Sequence, residues 1–217
     1  MKFINLDATT AYNKAIKSCG KDTKVIVCGT QEDLTYIEDA IESRQNSPKE
    51  IIKASTLINP NIWLTEQLNT LKGEIDLPVI TGTWQGESKE KQSFSLAQDI
   101  MTDEPINDLI GAKIKTDRNW KIPAYFNFGG WNQCPTPEIH CAIWKHWQQA
   151  YGAQIVAVSN DLIEAHISNP PTTEEDAMAL AWQQYAYCND IVDQGVESVA
   201  KLASMLINHD SWYFWWD

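Results

Sequence analysis

The 217-residue chain has little that would mark a staple, a cofactor cradle or a membrane span. Its five cysteines, Cys19, Cys28, Cys134, Cys141 and Cys188, are an odd number at wide spacing. That argues against a disulfide framework, and without a Cys-x-x-Cys pair it also argues against a zinc ribbon. Bases are scarce, with 17 Lys and Arg against 29 Asp and Glu, a formal charge of −12. The deficit lies mostly in residues 130–217, which hold 11 acids and only Lys145 and Lys201 as bases. Such a surface repels phosphate backbones, so nucleic acid is not an expected partner, whereas a basic protein is. No long apolar run occurs, and the N-terminal MKFINLDATT meets Asp7 early. No secretory signal or membrane span is read, and the expected location is the reducing cytoplasm. Gly29 follows an apolar run, but no G-x-G-x-x-G spacing surrounds it, so an ordinary α/β crossover is expected and no cofactor. No internal repeat or low-complexity stretch is present.

What is present suits a globule with one good core, at 43% apolar and 21% charged residues. Strand patterns occur at 1–6, 24–28, 77–84, 92–97, 112–116, 123–128, 154–159, 162–167 and 212–216. Between them lie helical patterns. Thr9 or Thr10 opens one that reaches Ser18. Thr30 with Asp33 makes a capping box for the next, which runs to Ser43 with Leu34, Ile37 and Ile41 on its apolar face. Residues 50–57 fit helix or strand, 62–72 fit a helix ended by Gly73, and 101–109 a short helix. Further helices are expected at 137–151, 173–188 and 195–208, with Thr172 and Glu175 as a capping box for the second. The expected fold is a mixed α/β (α+β) globule with a central mixed sheet covered by helices. The sheet should contain 123–128, 154–159, 162–167 and 212–216. The more polar residues 1–110 form a variable region, and 111–217 a C-terminal domain packed against it.

Residues 121–160 carry the most function-like text. An aromatic run ends at Gly129-Gly130, a connection Trp131-Asn132-Gln133-Cys134-Pro135 follows, and Thr136-Pro137 opens a helix. The two glycines should shape a recess there. Cys134 beside a helix start, with His140 one turn in, has the residue types of thiol catalysis. A buried loop cysteine is the alternative. His140 and His146, six apart, do not make the i,i+4 clamp of a metal-binding helix, and no metal is expected. Asp190 and Asp193 are paired carboxylates that would serve acid–base chemistry if their environments differed. Helix capping explains an aspartate here more cheaply.

Ten tryptophans are many for this length, and seven lie at or beyond Trp131. They are core fillers or anchors of a binding surface. Trp131, Asn132 and Trp144 are the candidate anchors. Glu174, Glu175 and Asp176 form the densest acidic cluster.

The second half resembles the bacterial family of domain of unknown function 4253. The likeness rests on Gly130-Trp131-Asn132, Cys134-Pro135, the helix to Trp147, and Tyr151-Gly152-Ala153. It continues through Pro170-Pro171, Gln184-Tyr185 with Cys188, Asp190-Ile191-Val192-Asp193-Gln194-Gly195 and Trp215-Trp216-Asp217. It spans about residues 122–217. The family name implies no activity. Small acidic proteins of this kind resemble immunity proteins, so the expected function is binding and occlusion of a cognate protein toxin. The alternative is a hydrolase built on Cys134 and His140, or on Asp190 and Asp193. The sequence is silent on oligomeric state.

Overall fold

A computed structural model describes residues 1–90, 93–99, 101–102 and 104–217. The chain runs β1 (Lys2–Asn5), α1 (Ala11–Ser18), β2 (Thr23–Gly29), α2 (Gln31–Glu42), α3 (Pro48–Ser55), α4 (Pro60–Lys72), α5 (Leu77–Thr81) and β3 (Ile110–Lys115). It continues through α6 (Ile122–Phe126), α7 (Pro137–Tyr151), β4 (Ala153–Val158), β5 (Leu162–Ile167), α8 (Glu174–Tyr187), a π-helical stretch (Ile191–Val196), α9 (Val199–Leu206) and β6 (Ser211–Trp215). The six strands form one sheet in the order β1-β3-β2-β4-β5-β6. Only β2 and β4 run parallel, and they meet at Val27 and Ala157. The other neighbours are antiparallel.

Side-chain alternation gives the sheet two covered faces. Ile26 and Cys28 of β2 point into the main core with residues of α2, α4, α7, α8 and α9. Val27 points to the opposite face, where Ala11 and Ala15 of α1 join Ala97 and Leu109. Thr30 and Asp33 form the expected capping box of α2. The capping box expected of Thr172 and Glu175 at α8 does not form; Thr173 is the cap and accepts from the Asp176 N–H.

Two of the strand expectations fail at a proline. Residues 122–126 are helical, with Pro123 in the first turn and Asn127 left-handed (φ 52°) at the end. The aromatic run that suggests a strand there instead packs Ile122, Pro123, Ala124 and Phe126 into the core from a helical turn. Residues 77–81 are also helical, with Pro78 in the first turn and Gly82 (φ 66°) as terminator. The expected sheet therefore keeps 154–159, 162–167 and 212–216 but not 123–128. Beside β4, Asn119 imitates a strand instead, its amide bonding both the Ile155 carbonyl (2.9 Å) and the Ile155 N–H (2.6 Å). The described part of 92–97 contains no strand, and Gln92 lies outside the described residues. Residues 101–109 are turns rather than helix where described, with a bridge between Gln98 and Pro105. The helix expected at 195–208 starts as the π-helical stretch, passes a left-handed Glu197 (φ 70°) and resumes as α9.

Glu164 on β5 is fully buried. Its carboxylate accepts from the Ser95 N–H (2.6 Å), the Ser95 hydroxyl (2.8 Å) and the Tyr12 hydroxyl. Tyr12 in turn accepts from the Leu96 N–H (3.0 Å) and stacks on Phe94 at 4.5 Å. One carboxylate thus fastens α1 and residues 94–96 to the sheet. Replacing Glu164 by Ala leaves the Ser95 donors unpaired, so we expect a loss of about 1–3 kcal/mol. Urea denaturation reads it, and an unchanged midpoint would mean that the Tyr12–Phe94 stack holds the segment unaided.

Candidate functional site

Because β2 and β4 are parallel, their carboxyl ends share one edge of the sheet. In open α/β sheets the crevice outside that edge is the usual place for a ligand. β6 also ends here, since Trp215 pairs with Leu162. The 127–136 loop folds back over the same edge. Asn127, Gly129, Gly130 and Asn132 all have positive φ (52°, 95°, 86° and 46°). Gly129 is obligatory, because a Cβ there would lie 1.9 Å from the Pro135 carbonyl and 2.6 Å from His140 Nε2. The loop is pinned at both ends, with the Asn127 amide donating to the Ala40 carbonyl (2.8 Å) and the Asn132 amide to the Asp217 carbonyl (2.7 Å). Asp217 N–H bonds Asp190 (3.1 Å), and Trp216 N–H bonds the Asp161 carbonyl (3.1 Å). Most of the stretches that carry the family likeness thereby meet at one end of the sheet.

Two recesses open at this edge and share Ser159 and Asn160 as a common wall. The first, of about 400 Å³, lies between α2 and the glycine loop and is lined by Tyr36, Asn127, Phe128, Gly129, Gly130 and Trp131 among others. It is the recess expected from the two glycines, although Cys134 and Thr136 are not in its lining. The second, of about 440 Å³, is lined by Asp33, Ser95, Asp99, Asp161, Tyr213 and Trp215 among others. No Lys, Arg or His is among the described residues of either lining. Burial raises the pKa of Asp161, and the neighbouring charge of Asp33 adds to the shift. Sequence reasoning did not single out Asp33 as a site residue, nor Tyr36, Asp99, Asn160, Asp161 or Tyr213. They come from stretches far apart in the chain and carry no local motif.

Cys134 and His140 do converge, with Sγ 3.4 Å from Nε2. They are sealed, however, at 5% and 0% exposure. On the far side of the ring the Tyr187 hydroxyl lies 2.5 Å from Nδ1. That hydroxyl also accepts from the Trp144 indole N–H (2.9 Å). Burial lowers the His140 pKa to about 3 and pushes the Cys134 thiol well above its ordinary range. Both groups rest neutral, and the third member is a tyrosine where a triad would have an acid. The arrangement acts as a buried hydrogen-bond chain joining α7, α8 and the loop.

The remaining candidates separate. Asp193 accepts from the Tyr185 hydroxyl (3.1 Å) and the Asn189 amide (3.0 Å), while Asp190 accepts from Gln194 (3.1 Å) and Asp217. These carboxylates tie the π-helical stretch to its surroundings. Trp144 is buried at 1% exposure and is no surface anchor. It packs edge-on to Trp147, Tyr187 and Phe214. Trp131 is half-buried in the first recess, and Asn132 is exposed. Glu174, Glu175 and Asp176 are exposed in the first turn of α8. Tyr151 senses Asp176, which puts this cluster near the amino end of β4, opposite the recesses. Among the described residues no group of three His, Cys, Asp or Glu side chains is disposed to hold a metal.

Two measurements check this picture. Since the folded pKa of His140 lies below its unfolded value near 6.5, its contribution is complete above that pH and is lost as pH falls towards 3. The stability difference between wild type and His140→Gln should therefore change by up to about 1.4 kcal/mol per pH unit across this window. A constant difference would mean that His140 is charged in the fold. In native-state alkylation, half-exposed Cys19, its pKa raised by burial to about 11, should react before Cys134. Faster labelling of Cys134 would reveal a stabilised thiolate and favour the hydrolase reading.

Residues 111–217 match the family model described as Domain of unknown function (DUF4253). No curated protein and no solved structure matches the chain. No helix among the described residues is long and apolar enough to cross a membrane. From β3 to its C-terminal strand, the chain is similar to the family of domain of unknown function 4253.

Proposed function

We propose that the protein is an acidic, cytoplasmic binding protein of the immunity type, which neutralises a secreted bacterial toxin by covering its active surface. The observation that carries this reading is the carboxyl edge of the sheet. Asp33, Asp99 and Asp161 stand there beside Trp131, Tyr213 and Trp215, with no basic side chain among the described lining residues. Aromatic groups are the usual anchors of protein interfaces, and an acidic surface draws a basic partner in by steering. The overall charge of −12 extends that field beyond the edge. The sealing of Cys134 and His140 supports binding over thiol chemistry.

Co-expression with toxins encoded beside the gene should protect cells, and the purified pair should associate faster at low salt. Between about 10 and 150 mM salt, where the screening length falls from roughly 30 to 8 Å, the association rate should drop far more than the dissociation rate changes. Charge reversal at Glu174, Glu175 and Asp176 probes the opposite end of the sheet. A smaller effect there than at Asp161 would place the partner at the carboxyl edge. Failure to bind or protect against any neighbouring toxin would sink the reading.

A further inference from the structure

The two recesses at the carboxyl edge differ in chemistry although they share a wall. The first has no Asp, Glu, Lys, Arg or His among the described residues of its lining. Tyr36, Phe128 and Trp131 give it aromatic surface, and Trp131 meets Phe128 edge-on at 6.2 Å. Gly130 offers bare backbone, since a Cβ there would meet nothing within 4 Å. A planar aromatic group fits such a site by stacking and edge contacts. The second recess has three carboxylates next to Tyr213 and Trp215. Acids and aromatic faces together favour a cation, by charge and by the ring quadrupole.

We propose that the two recesses form one bipartite site for an exposed protein segment that presents an aromatic and a basic side chain, the aromatic in the glycine-loop recess and the base beside Asp161. This rests on the binding reading and names the chemistry that the partner must offer. Ser159 and Asn160 divide the two compartments, so the paired side chains belong one or two residues apart on an extended segment. The loop is already held by Asn127 and Asn132, so docking orders little of it. Asp33 caps α2 through Thr30, and Asp99 accepts from Met101 and Thr102 N–H groups, so both acids are fixed before the cation arrives.

Two blocked tripeptides, acetyl-Trp-Gly-Arg-amide and acetyl-Trp-Gly-Glu-amide, test the site without any knowledge of the toxin. Nuclear magnetic resonance titration of the protein should show saturable shifts at the Trp131 and Trp215 indoles and at Asn160. The arginine peptide should bind with Kd of about 1 mM or tighter, and the glutamate peptide at least tenfold more weakly. Asp161→Asn should weaken the arginine peptide about tenfold and shrink the preference. Tyr36→Ala, at an exposed position, should weaken both peptides alike. Absence of saturable shifts at these residues overturns the proposal, as does equal affinity for the two peptides. Should a toxin bind while Asp161→Asn and Tyr36→Ala leave its affinity unchanged, the site assignment falls and the immunity reading stands. Peptide binding without any toxin partner gives the reverse outcome.

Discussion

The fold depends on one block of aromatic packing. Trp147 of α7 lies flat on Phe214 of β6, with ring centroids 5.5 Å apart and planes at 9°. Trp144, Tyr187, Trp212 and Trp216 close around that stack, all nearly free of solvent. Side chains of this size contribute several kcal/mol each when buried. The block fixes α7 and the end of α8 against the last strand, and so sets where the glycine loop and the C-terminus meet. His140 and Phe128 are the outermost members, each in edge contact with Trp216. The loop that bounds the first recess therefore rests on the core through Phe128.

Much of this was legible in the sequence. The Thr30–Asp33 cap, the helix from Pro137 to Gly152 and the antiparallel pairing of β4 with β5 follow from local patterns that packing does not override. The failures are informative. Residues 122–126 and 77–81 carry β-branched and aromatic side chains that favour a strand, yet each has a proline that fits the first helical turn. The acidic recess was invisible for a different reason. Asp33, Asp99 and Asp161 are brought together by the parallel pairing of β2 and β4, which no local pattern encodes.

The Cys134–His140 pair shows how convergence and competence differ. The residue types are right and the atoms are close, but both groups are sealed from solvent and burial holds both neutral. The far side of the ring meets Tyr187, itself bonded by Trp144, where a triad would have a carboxylate. The same residues that suggest a nucleophile thus serve to lock a loop whose outer surface is the recess wall.

The order of strands has a consequence for how the family domain stands alone. The matched segment begins at β3, yet both sheet neighbours of β3, β1 and β2, lie upstream of it. Within residues 111–217, β3 has no lateral contact with β4, because β2 is the strand between them. A chain cut at residue 111 would carry an orphan strand and a three-stranded β4-β5-β6 sheet, with the β4 edge paired by Asn119 at Ile155 but left bare towards Ala157, where β2 now lies. A different front half would have to cover that stretch by a strand, helix or loop of its own, and whatever covered it would reshape the carboxyl edge that β2 helps to build.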